Sequence, residues 1–166
     1  MTLIDIELSS RRIAIQKHSN TDPPINTPEM PTRLSQSTSL RLGASVFGTI
    51  FVAFGINAIL RPVSGLSFFP YEPPAPSTSE YTKQLVDDLM KIYGVRDVFM
   101  GVAIWAAAYY GERRALGWIM LAGSSVAFAD GAIVGASVPG GEWNHWSYAP
   151  ILTVVGLTLL GLFDRA

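Results

Sequence analysis

The chain has no cysteine among its 166 residues. That excludes disulfide staples, thiolate nucleophiles and cysteine-ligated metals, and it leaves the redox compartment open. Histidine is nearly missing too. With only His18 and His145, a histidine-cluster metal site within one chain is not expected. Charge is scarce: Asp, Glu, Lys and Arg make up 15% of the residues, where soluble domains carry about 25%. The formal net charge is −1, so no basic excess points to nucleic acid as a partner. The glycines lack the strand and lysine of a phosphate loop, and the "GSS" at 123–125 is not a Gly-x-Ser-x-Gly nucleophile elbow.

What is abundant is apolar surface, at 49% of residues, and it comes in long runs. Low charge with long apolar runs is the composition of a membrane protein. Residues 1–39 differ: "NTDPPINTPEMPTRLSQSTS" is rich in Pro, Ser and Thr and cannot bury enough apolar surface to fold alone. The expectation is therefore a disordered tail over 1–39 and an all-α, four-span transmembrane bundle over 40–166. Its helices are expected at about 40–60, 89–110, 115–138 and 143–163. About 20 helical residues cross a ~30 Å hydrocarbon core. The second segment is the weakest, because its uninterrupted apolar part, 98–110, is short. A buried hairpin in a soluble protein competes with this reading. Soluble helices, however, carry polar stripes, and the first and third segments show none.

Basic residues orient the bundle. Arg11, Arg12, Lys17, Arg33, Arg41, Arg113, Arg114 and Arg165 fall on one side; Arg61, Lys83, Lys91 and Arg96 fall on the other. Both termini are thus expected in the cytoplasm, and the membrane is expected to be the endoplasmic reticulum or another endomembrane. On the third helix, Gly123, Ala127, Gly131 and Gly135 recur every four residues, a small-xxx-small row for close helix packing. The same row is where two copies could associate.

The polar residues inside the apolar segments carry the chemistry. Asn57 and Asp130 each lie ~15 residues, or ~22 Å, from the inner ends of their helices, and Asp97 lies ~12 Å below the outer boundary. These depths agree within a few ångströms, so three helices are expected to place polar groups at one level. Arg61 ends the first helix on that face, and Tyr93 stands one turn from Asp97. Glu142, Asn144, His145 and Trp146 are expected at the outer mouth. Intramembrane carboxylates are costly and default to a functional hypothesis. Two of them in different surroundings can divide into an acid and a base. The competing expectation is a buried network that only locks the helices together. A third, proton or solute passage, lacks the internal repeat and broken helices of secondary transporters.

Two stretches, "KIYGVRDVFMG" and "GERRALGWIMLAGSSVAFADGAIV", are similar to a family of small integral membrane proteins of unknown function (the domain of unknown function 4267 type), related to DoxX-like four-helix proteins. Tyr93, Gly94, Arg96, Asp97 and Gly101 fit its Tyr-Gly-x-Arg-Asp-x-x-x-Gly pattern. Arg114, Leu116, Gly117, Asp130 and Gly131 fit its later motifs. "GINAILRPVSGLSFF" resembles its first helix and exit. The resemblance covers about residues 40–163. It implies a four-span bundle, and a fungal natural-product setting in which a small membrane cyclase, isomerase or epoxide-opening enzyme acts on a lipophilic molecule.

The expected function is therefore acid/base catalysis on a lipophilic small molecule. Asp97 and Asp130 serve as acid and base, in an order left open, and Arg96 tunes Asp97 or holds an oxyanion. Asn57, Arg61, Tyr93 and His145 position substrate. No cofactor or metal is called for, and membrane lipid is the surrounding partner. The alternative is a non-catalytic accessory or scaffold protein.

Overall fold

A computed structural model describes residues 33–164. Among these, every regular element is helical. A 3-10 turn at Leu34–Gln36 leads into α1 (Thr38–Leu60) and α2 (Pro62–Leu66). They are followed by α3 (Glu80–Tyr109), α4 (Arg113–Ser137), α5 (Trp143–Trp146) and α6 (Ala149–Leu159). Residues 1–32 of the expected tail lie outside the described residues. The remainder of that tail, 33–39, is built into the fold: Ser35 is fully buried and α1 already begins at Thr38.

Two antiparallel helix pairs form the bundle, α1 on α3 and α4 on α6. Glycines set their closeness. A Cβ on Gly55 would stand 2.5 Å from the carbonyl oxygen of Gly94, and one on Gly94 would stand 2.6 Å from that of Gly55. Two turns along, Gly48 and Gly101 repeat the arrangement. Gly117 and Gly156 do the same for α4 and α6, each 3.0 Å from the other's oxygen. Backbones this close exclude any side chain, which is how small residues let apolar helices gain van der Waals contact where no hydrophobic drive acts between them. Ser124 adds a polar tie. Its buried hydroxyl donates to the Ala149 carbonyl at 2.8 Å and pairs with Thr153 Oγ1 at 2.6 Å.

The row expected on α4 is used inside the chain. Gly131 lies beneath the Trp146 indole, Gly135 beneath Glu142, and Gly123 faces Met100, while Ala127 is buried. Trp146 is held there by donating its indole N–H to the Phe128 carbonyl at 3.1 Å.

α1 and α4 are long and apolar enough to cross a membrane. Only 28% and 33% of their most apolar 18-residue stretches are buried in the fold, so most of that surface faces outward, unlike a soluble core helix. The other two expected spans differ from their predicted form. α3 starts nine residues before the expected Leu89, because Ser79 caps it by accepting from the Thr82 amide at 3.2 Å and Glu80 suits the positive end of its dipole. The fourth is broken. Pro150 has no N–H to give the Trp146 carbonyl, and its ring crowds that oxygen. The helix interrupts at Ser147–Tyr148, and α6 keeps 11 residues, about 16 Å.

Two apolar clusters fill the interior. One, around Ile104, Leu116, Met120, Leu152 and Leu159, lies toward the α3–α4 turn; the other gathers Ala58, Leu66 and Met90 with Phe69, Val86 and Tyr93. At the α3–α4 end, Gly111 turns the chain with φ +75°, a conformation glycine adopts without strain. There the two ends of the described chain also meet, because Ser35 is bonded to Asp164. The chain therefore leaves the bundle at the end where it entered.

Candidate functional site

α3 passes from one apolar cluster to the other, and the residues between are Tyr93, Arg96 and Asp97. The inward face of α3 reads Met90, Gly94, Asp97, Gly101, Ile104, a three-to-four-residue spacing that points Asp97 into the bundle. Its residue is 3% exposed. Arg96, about 100° round the helix, reaches α4 and binds Asp130 with two nitrogens: Nη2 donates to Oδ2 at 2.7 Å and Nη1 to Oδ1 at 3.4 Å. Its Nε is 3.7 Å from Asp97 Oδ1, beyond hydrogen-bond length, and has no partner among the described residues. The guanidinium also lies 4.2 Å over the Tyr93 ring, a cation–π contact.

The result is two carboxylates beside one guanidinium, with unequal shares of it. Asp130 takes the bidentate grip that planar guanidinium favours. Asp97, the more buried, has charge nearby but no hydrogen bond from Arg96. This inequality is what an acid/base pair needs.

His145 closes the site from α5. It is completely buried, and neither ring nitrogen has a partner among the described residues. Phe68 and Phe69 pack on it with ring centres at 5.1 and 5.2 Å, and Tyr148 stands at 6.4 Å. A buried imidazole left without a protein partner costs stability. Phe69 also meets Tyr93 edge-on at 4.9 Å, so the aromatic wall is continuous from His145 to Arg96.

Of the sequence candidates, Arg96, Asp97, Asp130, Tyr93 and His145 come together. Asn57 does not join them. It sits off the α1 face that carries Phe51, Gly55 and Ala58, and its side chain bonds Ser64 at 3.3 Å. Arg61 ends α1 in an exposed position. Tyr148, Phe68 and Phe69, not among the expected site residues, also pack around His145. Tyr148 follows His145 by three residues, a helical spacing that could have flagged it. Among the described residues no group of three His, Cys, Asp or Glu is placed to hold a metal ion.

A family model for a domain of unknown function, DUF4267, matches residues 48–159. The chain belongs to that family. No curated protein and no solved structure matches it. The segment shared with the DUF4267 family runs from within α1 to the end of α6 and contains every member of the polar cluster. Gly94 and Gly101, the second and last residues of the Tyr-Gly-x-Arg-Asp-x-x-x-Gly stretch, are helix-contact glycines, while Tyr93, Arg96 and Asp97 belong to the site. The contact of Ser35 with Asp164 lies outside the family segment.

Proposed function

We propose that this DUF4267 protein is a four-span membrane enzyme that moves protons on a lipophilic small molecule, in a cyclisation, isomerisation or epoxide opening. The observation that carries the proposal is Asp97: a carboxylate buried in the interior, beside an arginine that is already committed to Asp130. Asp130 is the fixed partner of the pair, and Asp97 is the group free to exchange a proton with substrate. In an epoxide opening, the acid member gives its proton to the oxygen as the C–O bond breaks. The other member takes a proton from carbon or from the attacking hydroxyl, so the pair ends with its protons exchanged and nothing oxidised or reduced. Tyr93 and His145 border the place where the reacting oxygen would sit.

The exposed apolar residues on all four long segments support four spans, among them Ile50 on α1, Phe99 on α3, Trp118 on α4 and Val154 on α6. α3, at 30 residues, is about 45 Å long, and α5 with α6 completes the return. In this reading both ends of the bundle domain face the cytoplasm, in the endoplasmic reticulum or another endomembrane.

A second reading follows from the Arg96–Asp130 pair, which joins α3 to α4: the cluster only fastens helices in a scaffold protein. The variants Asp97→Asn and Asp130→Asn, purified in detergent, separate the two. The enzyme reading expects near-native melting of Asp97→Asn together with loss of conversion in a membrane extract. The scaffold reading expects both variants to melt early and in proportion to any loss of function.

A further inference from the structure

A groove of about 730 Å³ lies along the N-terminal half of α3, within the ~300–1,000 Å³ of small-molecule sites. Its walls are Leu66 and Phe69 on one side, Val86, Leu89 and Met90 on α3, and Ile133 on α4. It follows α3 from Thr82 to Tyr93, about 16 Å at a helical rise of ~1.5 Å per residue. The groove therefore runs along about three turns of the helix. Its two ends differ. One is polar, with Glu72, Thr78 and Thr82; the other stops at Tyr93 and Phe69, the residues that stack on Arg96 and His145. Leu89 and Ile133 on its rim are 56% and 66% exposed, and both sit on outward faces of long helices.

We propose that this groove takes an elongated, uncharged lipophile with one oxygen function at its leading end, entering sideways from the bilayer between α3 and α4. The proposal rests on the acid/base reading only for what happens to that oxygen, because binding itself needs only the groove. Length and lining call for a hydrocarbon chain or an isoprenoid-like skeleton. The charge argument excludes a carboxylate head. Glu72 is the one charged residue on the wall, so an anion would meet repulsion there. At the far end the guanidinium is already bound by Asp130. A hydroxyl, carbonyl or epoxide oxygen meets no such penalty and arrives beside Tyr93, one helical turn from Asp97.

Retinol and retinoic acid make a matched probe pair, similar in skeleton and different in head group. Scintillation-proximity binding of tritiated retinol to the full-length chain in detergent is expected to saturate. Unlabelled retinoic acid should be a weaker competitor than unlabelled retinol by about tenfold or more. Val86→Trp and Met90→Trp fill the groove and should each weaken retinol by about tenfold or more. Leu89→Trp, on the exposed rim where a large side chain cannot disturb folding, should do the same. Val102→Trp, exposed on α3 beyond the groove, should leave binding unchanged. Asp97→Asn should bind retinol like the native chain even where conversion is lost, so failure of the catalytic reading and failure of the groove give different results. Unsaturable binding, equal competition by retinoic acid, or full affinity in the three groove variants overturns the proposal.

Discussion

Arg96 and Asp130 face each other across α3 and α4 as a two-pronged ion pair, at 2.7 and 3.4 Å, while the remaining guanidinium nitrogen stands unbonded 3.7 Å from Asp97. One cation thus serves two acids unequally. Removing it should leave both carboxylates without a counter-charge in the bundle interior, which is costlier than removing a matched pair. Arg96→Ala should lower stability in detergent by about 1.5–3 kcal/mol. Arg96→Lys should recover only part, since an ammonium cannot reproduce the fork. Adding Asp130→Ala to Arg96→Ala should restore some of the loss. Thermal melting of the native chain, Arg96→Ala, Asp130→Ala and the double variant closes the cycle, and strict additivity would remove the pair from the account.

The glycine contacts predict opposite outcomes for one kind of change. A Cβ at Gly94 would meet the Gly55 carbonyl oxygen, a backbone atom that cannot swing aside, so Gly94→Ala should cost about 1–3 kcal/mol. Gly43, in the same helix as Gly55, has nothing within 4 Å of its would-be Cβ, and Gly43→Ala should be neutral or stabilising by up to about 1 kcal/mol. Melting both variants in one detergent tests the contact directly.

At the other end of the molecule, Asp164 accepts the Ser35 amide at 2.9 Å and the Ser35 hydroxyl at 2.5 Å, and Arg113 both donates to that hydroxyl and lies 3.8 Å from the carboxylate. The Ser35 bonds, then the Arg113 charge, hold the Asp164 carboxyl below its ordinary range. A carboxyl lowered in the folded state contributes its stability in full above the unfolded value near 3.9, and loses it as pH falls through the lower folded value. Hydrogen exchange of the Ser35 amide should therefore stay slow from neutral pH down to about pH 4, and quicken, relative to its intrinsic rate, only below that. In Asp164→Asn it should be fast at neutral pH.

A chain with no cysteine accepts single cysteines without prior replacement. Ser77 and Glu112 lie just before and just after α3 and are both exposed. If α3 crosses the bilayer, an impermeant maleimide added to sealed vesicles should label Ser77→Cys and Glu112→Cys from opposite sides. Labelling of both from one side would contradict the four-span arrangement.

Much of this was legible in the residues, unevenly and for physical reasons. Hydropathy located α1 and α4, because their surfaces are apolar nearly all round. It missed the first turns of α3, where Ser79, Glu80 and the paired charges of Asp88 and Lys91 (3.0 Å) make a helix that averaging over apolar content conceals. Depth counting placed Asp97 and Asp130 at one level, and they do share Arg96. The same counting admitted Asn57, because depth along a helix says nothing of direction around it: Asn57 is at a suitable height but on the wrong face. The break before Pro150 needed its neighbours. A proline two residues after Tyr148 fits either the first turns of one continuing helix or the start of a new one, and in the fold it starts a new one, α6. The groove could not be read at all, since its walls come from α2, the segment after it, α3 and α4.

The most direct test is the metabolite profile of host cells in which the native gene is replaced by one encoding Asp97→Asn, with the variant's amount in the membrane matched to wild type. The account predicts a normally inserted protein and the same accumulated lipophilic compound as in cells lacking the chain altogether. A wild-type profile from the Asp97→Asn cells would contradict it.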